Sequence, residues 1–336
     1  MRSSTSNSEA GRSNWLKVWL LAVCLVVLVV VAWERVLLQA GFEPAYTDNR
    51  ALWLSSRHRL SQPDASAIAI LGASRVQRAI DVGVLSEQLN RPIVQLAVEG
   101  SSGLPVLENL AADPRFNGTV VFSVAPAFSF NRRLRKLDLG LQGHWIRAYM
   151  RQSRSRRMEQ ELRLFALGLF AFRSADASIS RIVTEVIDTG EMPGPFYKKT
   201  YRNRFVQIDQ SKLEGEAKPD GIVEMYRSNS EAYEQKGFSE VLEYFSTLVD
   251  ILKAKGSRVY VLRLPSGGAV LDYERQEYPP DRFWTLMQRH VDAQYIHFED
   301  YPELDGYLSP DGSHIAAEKA GDFTRQLASV FSARGL

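Results

Sequence analysis

The longest unbroken apolar run lies near the start of the chain. Val18 to Trp33 reads VWLLAVCLVVLVVVAW, extended by Trp15 and Leu16 before it and Val36–Leu38 after it, with only Lys17, Glu34 and Arg35 interrupting. At about 1.5 Å of rise per residue, Trp15–Leu38 makes a helix of roughly 36 Å, enough to cross a bilayer core. Trp15, Trp19 and Trp33 fall near its ends, where interfacial aromatics are favoured. A buried core helix and a cleaved signal peptide are the competing readings. No A-x-A site follows the run, and no cysteine stands where a lipoprotein cleavage needs one. The pattern therefore predicts residues 1–14 as a tail, 15–38 as an uncleaved anchor, and a soluble domain from about 45 to 336. Arg2, Arg12 and Lys17 precede the run, whereas Arg35 follows it beside Glu34. That asymmetry puts the tail in the cytoplasm and the rest outside.

Beyond the anchor, short apolar runs alternate with helical patterns. Ser66–Leu71 (SAIAIL) reads as a buried strand ending at Gly72. Arg75–Leu89 carries Val76, Ile80, Val84, Leu85 and Leu89 at helical spacing. A second strand, IVQLAV, runs from Pro92 towards Gly100, a short helix covers Leu104–Ala112, and Thr119–Val124 is a third strand stopped by Pro126. The alternation resumes with a helix over Phe238–Lys255 closed by Gly256, a strand at Arg258–Leu264, a helix over Phe283–Val291, a strand at Gln294–Phe298 and a helix over Ile315–Phe331. Such alternation predicts an α/β fold: a parallel sheet with helices on both faces, making three layers.

Residues from about 128 to 237 break the alternation. Arg147–Arg181 looks largely helical, so this stretch is expected to be a helical insertion or lid. From Asn131 to Arg181 there are twelve Lys and Arg against four Asp and Glu. Such a run is either a solvated face or a contact with anionic lipid or an anionic polymer.

Composition narrows the class. The 336 residues are 45% hydrophobic and 24% charged, as in ordinary globular chains. A net charge of +2 gives no whole-chain pull towards nucleic acid. One cysteine, Cys24, excludes an intramolecular disulfide, and five histidines with no Cys/His cluster argue against a structural metal. No cofactor is called for.

Candidate chemistry lies at two places. The first strand delivers Gly72-Ala73-Ser74-Arg75 to the carboxyl edge of the sheet, where open parallel sheets bind ligands. Ser74 would lie in the strand-to-helix turn, where free helix amides can stabilise an oxyanion; the alternative is a helix cap. Near the C-terminus stands Ser309-Pro310-Asp311-Gly312-Ser313-His314. His314 can reach across to the first strand as a base, and Asp311, three residues earlier, can fold back to fix its tautomer. Taken singly, His314 is also a capping or surface residue and Asp311 a turn residue. Arg75 either binds an anionic group of the substrate or is an exposed first-turn arginine. Ser101 and Ser102 are fallback nucleophiles with no base placed near them.

Together, Ser74 after the first strand and the C-terminal D-x-x-H of Asp311 and His314 resemble the SGNH (GDSL-like) hydrolase superfamily, over roughly residues 64–126 and 238–332. The resemblance implies a three-layer, flavodoxin-like parallel sheet. It is closest to membrane-anchored envelope members, such as O-acetyltransferase components of polysaccharide modification. By that resemblance Ser74 is the nucleophile, Asp311 and His314 complete the triad, and the amides of Ser74 and Gly100 form the oxyanion hole. The third-strand block departs from the family: where an Asn is often found, this chain has Val124-Ala125-Pro126, and no Asn occurs until Asn131.

The expectation that follows is a single-pass protein of the inner membrane with its catalytic domain in the periplasm. It would move acyl groups on an envelope polysaccharide, as an O-acyltransferase or esterase. A separate multispanning acyltransferase supplying acyl groups is an implied partner, on the resemblance alone. The competing expectation is a catalytically degenerate scaffold or binding subunit of a polysaccharide modification or export complex.

Overall fold

The computed structural model describes residues 9–129, 140–209, 219–229, 235–308 and 310–336. Among them the chain forms seven strands: β1 (Ile68–Leu71), β2 (Ile93–Gln95), β3 (Thr119–Val124), β4 (Lys198–Thr200), β5 (Val206–Ile208), β6 (Val259–Arg263) and β7 (Gln294–His297). Five of them make a wholly parallel sheet in the order β2-β1-β3-β6-β7. In chain order this sheet starts at β1, steps to β2 on one side and then returns past β1 to β3. The strand order thus reverses beside the end of β1, the position where open α/β sheets form a crevice. β4 and β5 pair separately as an antiparallel hairpin.

The sheet is covered on both faces, and the strand sequences show why. Successive side chains of a strand point to opposite faces. Ala69, Leu71, Val120, Phe122, Val259 and Val261 join one buried cluster, with Leu107 and Leu110 of helix Leu104–Ala112 and Phe245 and Leu252 of helix Gln235–Ala254. Their neighbours Ile68, Ile70, Val121, Tyr260 and Leu262 join a second cluster, with Leu85 of helix Val82–Leu89 and Phe323 and Leu327 of helix Ala320–Ala333. A strand buried on both faces has no polar positions to alternate with, hence the continuous apolar runs.

The helix expected over Arg75–Leu89 is two helices, Ser74–Ala79 and Val82–Leu89. Asp81 separates them: its carboxylate accepts from the amides of Gly83 and Val84 at 2.9 and 3.2 Å, capping a new helix. The second strand stops at Gln95 rather than continuing through Val98, and Arg204 binds carbonyls at and just beyond its end. This buried residue donates to Gln95 O at 3.0 Å and Ala97 O at 2.9 Å, and pairs with Asp48 at 2.8 Å. Arg204 sits in the tight turn of the β4–β5 hairpin at φ +67°.

The chain divides into two compact units. One comprises Tyr46–Leu164 and Tyr197–Leu336 and holds both sheets. The other joins Phe165–Phe196 to Met1–Ala45. Its main element is helix Glu9–Gln39, of which Asn14–Gln39 is 26 residues, long and apolar enough to cross a membrane. In this unit Leu37 and Phe42 pack with Ala171, Ala177 and Ile182. Glu34, which interrupts the apolar run, accepts the amides of Ala171 at 2.7 Å and Phe172 at 3.1 Å.

Candidate active site

β1 ends at Leu71, and Gly72 turns the backbone at φ +145°, a conformation that disfavours side chains. A Cβ there would also lie 2.9 Å from the carbonyl oxygen of Ser123 on β3. Gly103 packs against the same turn from the other side: its Cβ would meet Gly72 N at 3.0 Å. Two glycines, 31 positions apart, thus let the backbone pack closely just before Ser74.

Ser74 opens helix Ser74–Ala79, but it is not the cap; that position belongs to Ala73, which makes no side-chain cap bond. The Ser74 hydroxyl is instead 3.0 Å from His314 Nε2. His314 Nδ1 lies 2.8 Å from Asp311 Oδ2. Nδ1–H donates to the carboxylate, which leaves Nε2 as the acceptor for the serine hydroxyl. Asp311 is itself fixed: its Oδ1 accepts the amides of Ser313 at 2.8 Å and His314 at 2.9 Å. Gly312, between them, has φ +68°, and a Cβ there would lie 2.6 Å from Gly267 O. The fold-back of Asp311 onto the imidazole, read from the D-x-x-H spacing, is therefore present, and the structure brings Ser74, His314 and Asp311 together in one hydrogen-bonded row.

His314 and Asp311 are both buried. Burial pushes the pKa of His314 down to about 4, and the nearby positive charge of Arg78 acts in the same direction. The Asp311 carboxylate opposes the shift without cancelling it. Above that pH the imidazole is neutral, the form a general base needs.

Arg75 is not an exposed first-turn residue; it is buried. Its Nη2, with two hydrogens to donate, lies 2.9 Å from Glu274 and 3.1 Å from both Tyr226 Oη and Ser313 Oγ. Tyr226 and Ser313 also bond each other at 3.0 Å. Arg75 thus ties the residue after Ser74 to the residue before His314. Glu274 bridges Arg75 to Arg263, and Ser266 donates to it at 2.6 Å. Burial disfavours the Glu274 carboxylate, but the two guanidiniums outweigh that and hold its pKa down at about 2. Tyr226, Arg263, Ser266 and Glu274 were not singled out in the sequence; the one local signal is a charged residue, Arg263, ending an otherwise apolar strand.

Gly100 lies in the turn after β2 with φ +68°. Val98 N donates to Gly72 O at 3.0 Å, so Gly100 stands two residues beyond a contact with the turn that precedes Ser74. Beside it, Glu99 pairs with Arg78 and, at 2.7 Å, with Lys198 of β4. Ser101 Oγ is engaged elsewhere, donating to Val98 O at 2.5 Å and accepting from Gln142 at 2.7 Å. In the third-strand block, Ser129 Oγ accepts the Ala125 amide at 2.9 Å. Asn131 lies outside the described residues.

A serine hydroxyl, a buried neutral imidazole and an oriented carboxylate in one row can together generate an oxygen nucleophile and return a proton to a leaving group. No family model matches the chain, and no curated protein matches it.

Proposed function

We propose that this protein is a serine-dependent acyl-transferring enzyme, an O-acyltransferase or acyl esterase acting on a cell-envelope polysaccharide. The observation that carries the reading is the row Ser74 Oγ–His314 Nε2–Asp311, with spacings of 3.0 and 2.8 Å. In the first half-reaction Ser74 Oγ attacks the acyl carbonyl while its proton passes to His314 Nε2. The resulting imidazolium is stabilised by Asp311, and the oxyanion by the amides of Ser74 and Gly100. Collapse of the tetrahedral adduct breaks the bond to the donor, and His314 gives its proton to the departing oxygen. In the second half-reaction a sugar hydroxyl, or water, loses its proton to His314 and attacks the acyl-serine. Collapse of this adduct breaks the bond to Ser74 Oγ, His314 returns the proton to that oxygen, and the product leaves as the sugar ester or, with water, as the free acid.

The polysaccharide substrate, the SGNH-type assignment of the fold and the multispanning acyl-donating partner belong to this proposal and rest on the resemblance of Ser74 and the D-x-x-H pair. An inner-membrane anchor with a periplasmic domain belongs to the same proposal, supported by the apolar helix and its flanking charges. In the same reading the segment of about 128–237 serves as a helical lid that excludes water, which transfer to a sugar requires. Tyr226, in helix Pro219–Asn229 of that segment, reaches Arg75 and Ser313.

The second reading, a scaffold with a degenerate site, draws on the missing Asn of the third-strand block. The two readings separate on treating the folded protein with a fluorophosphonate probe. Labelling of the wild type, lost in Ser74→Ala and His314→Ala, is the expected result. A folded wild type that takes no label and turns over no aryl acetate would favour the scaffold.

A further inference from the structure

The unit that contains the apolar N-terminal helix carries a second apolar surface. Helix Ile179–Thr189 (ISRIVTEVIDT) places Ile179, Ile182, Val183, Val186 and Ile187 at i, i+3, i+4, i+7 and i+8, one continuous stripe. Of these only Ile182 is covered, at 4% exposure. Ile179 and Ile187 are 67% and 75% exposed, and Val183 and Val186 are also open. Leu169 and Phe170 add exposed apolar surface just before the amides of Ala171 and Phe172 that Glu34 holds. Contiguous exposed apolar side chains mark a docking surface.

The position of this surface indicates what covers it. Ile182 packs with Leu37 and Phe42, at and just past the end of the Asn14–Gln39 segment. A helix of that length is about 39 Å long and outruns a hydrocarbon core of about 30 Å, so its last turn belongs in the headgroup zone. The stripe is therefore held at the depth where amphipathic helices lie in a bilayer. The helix bears Arg181, Glu185 and Asp188 away from the stripe. Arg181 is occupied, donating to Asp176 O at 2.6 Å and Gly194 O at 3.0 Å and lying over the Phe196 ring. With no excess of positive charge on this helix, attraction to anionic lipid is not what seats it.

We propose that helix Ile179–Thr189 lies along the membrane interface beside the anchor, with Ile179, Val183, Val186 and Ile187 in the acyl boundary. Its docking is apolar and indifferent to lipid charge. The inference rests on the N-terminal helix being a membrane span and is independent of the chemistry at Ser74. It fixes the anchored end of the protein by two elements instead of one.

The test uses the full chain in a Cys24→Ser background, Cys24 being the only cysteine. Single cysteines are introduced as Val27→Cys in the anchor, Ile187→Cys on the stripe and Asp188→Cys on the polar side. Each is labelled with an environment-sensitive fluorophore in phosphatidylcholine nanodiscs, with or without lipids carrying a quencher on the acyl chain. The expected result is that labels at 27 and 187 lose most of their emission to the quencher while the label at 188 loses little. Replacing part of the phosphatidylcholine by phosphatidylglycerol leaves this unchanged. Quenching at 27 with no more at 187 than at 188 overturns the inference while the anchor stands, and assigns the stripe to a protein partner or a second copy. Absence of quenching at 27 removes the membrane span and the inference with it.

Discussion

Glu274→Gln keeps the shape of a buried side chain and removes the one negative charge between Arg75 and Arg263. In the wild type its carboxylate is 2.9 Å from Arg75, in contact with Arg263, and accepts from Ser266 at 2.6 Å. Both arginines are buried, so the substitution leaves two guanidiniums facing each other out of water. Breaking a buried pair on one side costs about 3–5 kcal/mol. Arg75 keeps Tyr226 and Ser313 as acceptors and Arg263 keeps Ser266, which places the cost near the lower end, about 3 kcal/mol. An independent route gives a similar size. Folding lowers the Glu274 pKa from 4.5 to about 2, a difference worth about 3 kcal/mol. The folded pKa is the lower one, so this stability is fully present above pH 4.5 and is lost as pH falls through 2. Urea unfolding of the full chain in neutral detergent, followed by tryptophan fluorescence at pH 7 and again at stepwise lower pH, reads both quantities. Glu274→Gln should lose about 3 kcal/mol at pH 7 and show a flatter acid limb than the wild type. A variant within about 0.5 kcal/mol of wild type at pH 7, the usual scatter for surface changes, would refute the ion-pair bridge.

Gly72→Ala forces a methyl to 2.9 Å from Ser123 O at φ +145°, so a loss of about 2–4 kcal/mol in urea unfolding is expected, with weaker fluorophosphonate labelling at Ser74. The rate of that labelling should stay level as pH falls through 6.5, the ordinary histidine value, and drop only towards about 4, where His314 takes a proton. Arg78→Gln removes a positive charge that holds the His314 pKa down, so the midpoint of this acid limb should move up; an unchanged midpoint would exclude Arg78 from the field at the imidazole.

Local pattern and long-range pairing were unequally legible in the chain. β1, β3 and β6 are continuous apolar runs because both of their faces are covered, and such runs stand out in any sequence. Ser74, Asp311 and His314 stood out because small-residue turns and a Pro-Asp-Gly loop mark the sheet edge, and the structure does bring the three together. Arg75 was only half legible: a charge beside a serine is visible, but its burial depends on Glu274, 199 positions away. The β4–β5 hairpin was missed because each strand has three residues, too short for a period to show. The break at Ile80–Asp81 hid inside a helical spacing that continues on both sides of it. Glu34 looked like a mere interruption of the apolar run, since its partners are backbone amides at 171 and 172, which carry no sequence signal.

The most direct measurement is capture of the acyl-serine. The folded protein is mixed with an aryl acetate, quenched in acid within the first turnover, and its intact mass and peptides are compared with those of Ser74→Ala. A mass gain of one acetyl group on the peptide containing Ser74, absent in Ser74→Ala and slowed in His314→Ala, is the expected result. Acetyl found at another residue, or no gain in folded wild-type protein, would contradict a nucleophilic Ser74.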